Sequence, residues 1–254
     1  MNRIAEFFDA YGEREWTRFE DGRNSRASLE THVRFLERFV RDGDRVLDAG
    51  AGPGRFTREL VRLGADVTAL DLSPVQLELL HDRLPEVETV VGDIRDLPFA
   101  HDSFDAAVCF GGPLSYTHGE GVEELVRVVR PGGLLLVSVM SLVGCVVHYA
   151  KELVDLGRRD GADRQLEIVD TGNLPEEPGY GHLAMRLYRW RELEALLAPY
   201  GELVAGAAAG LLPTLSPDEP ELAQLVVDLE ARVCEDPQSL SVGQHMIAVL
   251  EVGS

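Results

Sequence analysis

The sequence predicts an α/β fold with a doubly wound, seven-stranded and mostly parallel sheet. Three observations carry this prediction: short apolar runs alternate with amphipathic segments from residue 44 onward, each pair has the length of a strand–helix repeat, and a glycine-rich loop follows the first run. Such alternation is typical of a parallel sheet covered on both faces. Right-handed crossovers then bring the carboxyl ends of the strands to one edge, where these sheets bind ligands.

The first half of the chain supplies most of the regular pattern. Two helices are predicted ahead of the sheet, within residues 1–44. The apolar runs predict strands at 45–50, 66–71, 87–92, 105–110 and 133–140, and helices at about 54–63, 74–83 and 120–130. The helix at 74–83 begins after Ser73, whose hydroxyl can cap it, with Pro74 in the first turn.

The alternation stops after Val139. The sequence predicts a helix over 141–156, a loop or lid over 160–180, a strand at 182–190, a helix at 191–200, an acidic amphipathic helix at 217–236, and two final strands at 201–209 and 244–252. The chain is therefore expected to return to the sheet after an insertion.

Composition narrows the classes of partner. The formal net charge is −20 and no cluster of Lys and Arg is present, which argues against a nucleic-acid partner. No window is apolar enough for a membrane span, so no membrane partner is expected. Cys109, Cys145 and Cys234 form no C-x-x-C pair, and the predicted location is cytoplasmic. The histidines lack metal-ligand spacing, and no metal is expected.

The glycine loop is the strongest chemical signal. Gly50, Gly52 and Gly54 alternate after Asp48. A dinucleotide fingerprint has the spacing G-x-G-x-x-G, and the position it requires for the third glycine is Arg55. The Asp48 carboxylate would also repel a pyrophosphate. A cationic ligand, such as a sulfonium that carries an ammonium group, removes that objection.

The order D-x-G-x-G-x-G after a strand resembles the first motif of class I S-adenosylmethionine-dependent methyltransferases. Further segments are similar to the same family, and the resemblance covers about residues 44 to 140: Gly92-Asp-Ile, Asp96-Leu-Pro-Phe, Asp102-Ser-Phe-Asp and Arg130-Pro-Gly-Gly-Leu. It implies a Rossmann-like fold, S-adenosylmethionine as cofactor, S-adenosylhomocysteine as product and a small-molecule acceptor. Two alternatives stay open: a module that binds the cofactor without transferring a methyl group and, less favoured, a NAD-dependent reductase.

The resemblance also implies cofactor-binding residues. Asp71 ends the second strand, where an acid can accept both ribose hydroxyls. Asp93 is assigned to the adenine amine. The other expected cofactor residues are Asp48, Ala49, Gly50, Gly52 and Gly54 at the methionine end, Leu72, Gln76 and Ile94 around the adenosine, and Phe110 and Gly111 after the fourth strand.

The N-terminal segment is expected to close the site. Tyr11, Trp16 and Arg26 are the candidates for this cover, with Arg26 or Arg18 near the methionine carboxylate. Ordinary packing and solvated charge explain each of these residues equally well.

The loop after the fourth strand is expected to face the transferred methyl group. Its Phe110-Gly-Gly-Pro sequence lacks the Asn/Asp-Pro-Pro-Tyr-like pattern of many amino-methylating relatives, which disfavours DNA bases and protein glutamine as acceptors. Tyr116 and His118 are expected to reach the substrate cavity, and His118 or His148 would serve if a general base is needed. Transfer without any base is the alternative, because a sulfonium is already activated.

Four parts of the chain are predicted on this basis. They are an N-terminal helical cover at 1–44, a cofactor-binding core at 45–140, a substrate lid insertion at 141–185, and a C-terminal completion of the sheet at 186–254. The predicted partner is a small-molecule substrate, and the oligomeric state is left open.

Overall fold

A seven-stranded sheet forms the centre of the computed structural model, which describes residues 3–17, 26–176, 182–212 and 219–253. Its strands are β1 Arg45–Ala49, β2 Asp66–Asp71, β3 Glu88–Val91, β4 Phe104–Cys109, β5 Val129–Met140, β8 Gly201–Ala209 and β9 His245–Val252. A separate two-stranded ladder pairs β6 Asn173–Leu174 with β7 Met185–Arg186. The predicted number of strands in the main sheet is confirmed.

The strand order in the sheet is β3-β2-β1-β4-β5-β9-β8. β1 pairs in parallel with both β2 and β4, so that Val46 lies beside Val67 on one side and Ala106 on the other. Only β9 runs antiparallel to its neighbours β5 and β8. The chain order reverses between β1 and β4, which places a crevice at the carboxyl ends of these strands.

Helices cover both faces of the sheet. They are α1 Arg3–Tyr11, α2 Arg14–Thr17, α3 Arg26–Phe39, α4 Arg55–Arg62, α5 Pro74–Arg83, α6 Pro113–Tyr116, α7 Val122–Val128, α8 Leu142–His148, α9 Ala150–Asp160, α10 Ala162–Thr171, α11 Trp190–Leu197 and α12 Pro220–Val233. Two separate groups of buried apolar residues pack against the sheet, as the continuous apolar strands require. Among the described residues no helix is long and apolar enough to cross a membrane.

The second half differs from the prediction in three places, and the first is the expected helix over 141–156, which is divided into α8 and α9. The segment 162–171, expected to be loop, is helix α10, because the glycines and prolines that suggested a loop lie outside it, as Gly161 and Gly172 do at its two ends. The expected strand over 182–190 is reduced to the two residues of β7. Alternating apolar residues there pack against the helices that follow β5, and Met185 and Leu187 are buried in one cluster with Leu142.

One buried carboxylate ties α12 to the loop after β8. The Glu230 side chain is fully buried and accepts N–H bonds from Gly210, Leu211 and Leu212 at 2.8, 3.0 and 3.3 Å. The Thr31 hydroxyl donates a fourth bond at 3.2 Å. Burial raises the pKa of Glu230, and these four donors oppose that effect. The carboxylate therefore fixes the chain where it leaves the sheet.

Glu230→Gln is expected to lower the free energy of unfolding by about 2 kcal/mol, because an amide nitrogen would face N–H donors that now bond to a charged acceptor. Urea denaturation of both proteins measures the difference. Glu221→Gln on the exposed part of the same helix is the matched control and is expected to change stability by less than about 0.5 kcal/mol. Equal effects of the two substitutions would contradict the anchoring role.

Candidate active site

A pocket of about 810 Å³ lies at the carboxyl ends of β1, β2 and β4, beneath α1 and α2. It occupies the crevice that the strand order creates. Nine of the residues expected at the site are in its wall: Gly50, Gly52, Asp71, Leu72, Gln76, Ile94, Phe110, Gly111 and Tyr116. The topology thus brings the ends of separate strands together, as the sequence predicts.

The glycine loop turns sharply because its backbone packs closely on neighbouring elements. Gly50 has φ 82°, and a Cβ atom there would lie 2.3 Å from Cγ of Pro113. Gly54 has φ 90°, and a Cβ atom there would lie 2.9 Å from Cγ of Leu80. A side chain at either position is excluded both by the left-handed backbone and by the space available. The first half of the glycine loop can therefore form a part of the pocket wall that consists of backbone alone.

The Asp71 carboxylate joins the glycine loop to the end of β2. Its Oδ2 atom accepts the Gly52 N–H at 2.8 Å, and its Oδ1 atom accepts the Ser73 N–H at 2.8 Å. Burial raises the pKa of Asp71 despite these donors, and the nearby Asp9 carboxylate adds to that rise. Two bonds hold the acid in one orientation at the pocket wall, which suits a group that must accept bonds from a pair of hydroxyls.

Asp48 lies beneath the glycine loop, and its side chain is not part of the pocket wall. The carboxyl group is 1% exposed and accepts the Thr57 hydroxyl at 2.6 Å. Burial raises the pKa of Asp48 to about 7, the Thr57 bond opposes this, and the charge of Asp71 adds to it. The Asp48 carboxyl group therefore lies behind the loop and not at the pocket surface, and its role toward the cofactor stays a prediction. Ala49 and Gly54 also lie outside the wall.

Gln76 links the pocket to the N-terminal cover. Its Nε2 group donates to the carbonyl oxygens of Phe8 and Gly12 at 2.8 and 3.1 Å. Its Oε1 atom is buried and accepts no bond from the described residues. The Ser73 hydroxyl adds a bond of 2.5 Å to Asp9 on the same helix as Phe8. Because α1 is attached to the turn after β2, it forms the roof of the pocket.

The short helix α2 is held by a cluster of arginines around Trp16. The guanidinium groups of Arg55 and Arg83 lie 4.1 and 4.4 Å from the centre of the indole ring, and Arg55 donates to the Trp16 carbonyl. Arg58 lies farther out, at 5.3 Å. Glu13 pairs with Arg83 at 2.5 Å. These contacts attach α2 to α4 and α5, while Trp16 itself is not part of the pocket wall, and its role in closing the site stays a prediction.

Other residues expected in the cover or at the adenine lie outside the pocket wall. Tyr11 stacks on Phe7 at 5.6 Å. Arg26 is directed toward α12, where it donates to Gln224 at 3.3 Å, and Arg18 lies outside the described residues. Asp93 forms a two-pronged pair with Arg95, with its shortest bond at 2.6 Å, which holds the pKa of Asp93 below its usual range.

The three expected catalytic residues separate in space. Tyr116 is in the pocket wall and packs edge-on against Phe8 at 5.6 Å. His118 follows on the loop after α6, and His148, at the end of α8, bonds through Nε2 to the Val242 carbonyl at 3.0 Å. Neither imidazole belongs to the pocket wall. Of the three, Tyr116 is thus the one at the pocket, and the catalytic roles stay predictions.

The sequence analysis missed several wall residues. Ile4 and Phe8 come from α1, and Glu15 comes from α2. Arg55 was noted only as the residue that breaks the dinucleotide spacing, although its place at the start of α4 puts it in the wall. The helix-like spacing of Ile4 and Phe8 was visible in the sequence, but it did not indicate which face would meet the pocket.

The residues present fit an adenosine ligand with a charged amino-acid end. The wall combines a bare backbone at Gly52, a fixed acceptor at Asp71 and the buried oxygen of Gln76. Among the residues that the structure describes, no group of three or more His, Cys, Asp or Glu side chains could hold a metal ion.

Comparison with known proteins finds similarity to methyltransferases over part of the chain. Residues 46–133 match the family described as "Methyltransferase domain". The chain is 37% identical over 161 residues to demethylmenaquinone methyltransferase of Paenarthrobacter aurescens (strain TC1), covering 62% of this chain and 60% of that protein. A protein of the same name from Clavibacter sepedonicus is 41% identical over 158 residues, covering 61% and 62%. The matches thus span less than two thirds of these relatives.

Solved structures show the same fold. A Thermotoga maritima protein described as a possible histamine N-methyltransferase superposes with a TM-score of 0.62 at 17% identity, covering 98% of this chain and 99% of that one. Burkholderia thailandensis 1,6-didemethyltoxoflavin-N1-methyltransferase, solved with S-adenosylhomocysteine, gives a TM-score of 0.56 at 19% identity, covering 99% and 89%. At these identities the likeness establishes the fold alone.

The sheet has the Rossmann-like fold of class I S-adenosylmethionine-dependent methyltransferases, and residues 46–133 match a methyltransferase domain. The predicted fold class is confirmed, and the matches support the predicted family and S-adenosylmethionine as the cofactor.

The raised pKa of Asp48 predicts a pH effect on stability. The folded protein keeps a proton that the unfolded chain releases between about pH 4 and pH 7, so stability falls as pH rises across that window. Asp48→Asn keeps an acceptor for Thr57 and removes the charge. The variant is expected to gain stability relative to the unaltered protein across this window, on the order of a few kcal/mol.

Urea denaturation at pH 5, 6, 7 and 8 measures this difference. Asp66→Asn, at the exposed start of β2, is the control and is expected to give a difference that does not grow with pH in this way. A constant gap between Asp48→Asn and the unaltered protein would contradict the prediction.

Proposed function

We propose that this protein transfers the methyl group of S-adenosylmethionine to an apolar small molecule with an aromatic or quinol ring. The observation that carries the proposal is the composition of one pocket wall. One part of the wall is formed by Asp71 and the glycine loop. The other part is apolar and aromatic and is formed by Ile4, Phe8, Phe110 and Tyr116. A polar cofactor and a flat apolar acceptor each find a complementary surface there.

The chain's own contribution is binding, orientation and exclusion of water. When bound, the cofactor supplies a methyl group already activated by its sulfonium. Asp71, Leu72 and Ile94 would hold the adenosine, and the loop backbone would hold the opposite end. The roof formed by α1 would shield the reacting atoms, and holding them in line is the main requirement for rate.

The nature of the acceptor draws on the relatives. The relatives with 37% and 41% identity are named demethylmenaquinone methyltransferases. A quinol ring is a planar acceptor that would fit the apolar part of the pocket wall. We propose that helices α8 to α10 form the substrate cover within the predicted insertion at 141–185. Leu142 and Met185 of this region pack with Tyr116, so the cover reaches the pocket.

We also propose that the reaction takes place in the cytoplasm, without a nucleic-acid partner. The three cysteines are unpaired and buried, which suits a reducing compartment. The net charge of −20 disfavours contact with a phosphate backbone.

Transfer is tested with methyl-labelled S-adenosylmethionine and a panel of hydroquinones and phenols. The unaltered protein is expected to label at least one acceptor and to release S-adenosylhomocysteine. Asp71→Ala is expected to weaken cofactor binding by roughly 10- to 100-fold, because a buried ribose would lose a charged acceptor. Binding measured by calorimetry without methylation of any acceptor would favour a cofactor-binding module, and binding of NADH alone would favour a reductase.

Tyr116 is the side chain we propose to orient the acceptor. Tyr116→Phe keeps the ring contact with Phe8 and removes the hydroxyl, so it is expected to lower turnover several-fold with little change in cofactor affinity. His118→Ala and His148→Ala test the alternative of an imidazole base. A large loss of turnover in either histidine variant, with Tyr116→Phe unaffected, would reverse the assignment.

A further inference from the structure

Helix α12 carries two apolar faces, and the second of them is exposed. On the first face, Val226 and Val227 are buried with Ala27 of α3, and Glu230 binds the loop after β8. The second face consists of four side chains that are each 46 to 48% exposed, namely Leu222, Leu225, Leu229 and Val233. A surface helix ordinarily has one apolar face, which is directed at the core. The core therefore does not account for the second face.

These four residues, the α12 stripe, form one continuous surface. Their spacing of three, four and four positions places them within an arc of about 80° on the helix and along about 17 Å of its length. Ten large apolar side chains are exposed among the residues that the structure describes, and the α12 stripe contains four of them. Exposed apolar residues that are scattered singly are normal, whereas a contiguous row is typical of an interaction surface.

Two opposite charges lie at the two ends of the α12 stripe. Glu221 is beside its start and Arg232 is beside its end, and both are exposed on the same flank of the helix. Neither side chain has a charged partner within the described part of the chain, and Arg232 donates only to the Asp228 carbonyl, at 2.7 Å. The Asp228 carboxylate accepts a bond from Gln224 at 3.0 Å, on the side away from the stripe. Each copy of the chain therefore presents one acid and one base that a partner can pair.

A second copy of this chain fits both patterns when two α12 helices pair in antiparallel orientation about a two-fold axis. Leu225 would then face Leu229 of the partner subunit, and Leu222 would face Val233 of the partner subunit, so that each stripe covers the other. The two-fold axis keeps equivalent flanks on the same side of the helix pair. Glu221 would therefore meet Arg232 of the partner subunit, and this ion pair would form twice in each dimer.

We propose that the α12 stripe is the contact surface of a homodimer with two-fold symmetry. Two copies with a net charge of −20 repel each other at long range, and an uncharged stripe flanked by complementary charges is a surface on which they can meet. An interface built around one helix is small, so we expect a dissociation constant on the order of 10–100 μM. Unfolding measured below that concentration reports on the monomer. The stripe lies outside the pocket wall, so the proposal is independent of methyl transfer.

Sedimentation velocity at protein concentrations from about 1 to about 300 μM tests the proposal. The unaltered protein is expected to change from monomer to dimer across this range. Leu229→Glu is expected to weaken the dimer at least about tenfold, because it places a carboxylate in the apolar centre of the contact. Leu166→Glu is the matched control: Leu166 is 60% exposed on another helix, α10, and this variant is expected to dimerise like the unaltered protein. Glutamate is a good helix former, so both variants are expected to fold.

Two charge variants test the antiparallel arrangement. Glu221→Arg leaves two bases on the flank of the stripe, and Arg232→Glu leaves two acids there. Each variant alone is expected to dimerise about fivefold more weakly than the unaltered protein, because like charges would face each other across the two-fold axis. An equimolar mixture of the two variants is expected to recover dimerisation, since the bases of one variant would face the acids of the other. Mixing would not repair a defect in folding, so recovery reports on the contact itself.

Three outcomes would overturn the proposal. An unaltered protein that is monomeric at every concentration would show that no second copy covers the α12 stripe. A dimer that Leu229→Glu leaves intact would place the contact on another surface. Loss of the dimer in both charge variants without recovery in their mixture would refute the antiparallel pairing. Cofactor binding is a separate measurement, and its failure would refute the proposed function without affecting the dimer.

Discussion

The hydrogen bonds of Asp71 set the geometry on which the site depends. One carboxylate accepts the Gly52 N–H from the glycine loop and the Ser73 N–H from the turn that begins α5. These segments follow neighbouring parallel strands, whose register places their ends side by side. The Ser73 hydroxyl and Gln76 then attach α1 to the same turn. The glycine loop, the Asp71 carboxylate and helix α1 are therefore held together at one edge of the sheet.

The electrostatics of this edge suit a cationic ligand. Asp48 lies behind the loop, and its carboxyl group, with a pKa near 7, releases its proton more readily when a positive charge is close. Asp71 is buried in the wall and its pKa is also raised. A sulfonium brought into this pocket would stabilise both charged forms, whereas a pyrophosphate would oppose them. Asp48 itself lies behind the backbone of the loop and outside the pocket wall, so the effect on the ligand that we predict for it is electrostatic and needs no contact.

The regular half of the chain was predictable because local pattern and global fold agree there. The apolar strands, the cap at Ser73 and the alternating glycines each depend on neighbours in the sequence. The insertion was less predictable. Helix α10 lies between Gly161 and Gly172, so averaging composition over 160–180 concealed it. The roles of Asp93 and Arg26 depend on partners such as Arg95 and Gln224, whose choice only tertiary packing decides.

The same limit explains why Glu15 and Arg55 were missed. Nothing in the sequence shows that Trp16 packs between Arg55 and Arg83, because these residues are 39 and 67 positions away from the ring along the chain. The Trp16 ring contacts both guanidinium groups and thereby holds α2 in place. Helix α2 in turn places Glu15 beside the glycine loop. A glycine motif can therefore indicate the cofactor from the sequence alone, whereas the support that one aromatic residue gives to α2 is visible only in the folded structure.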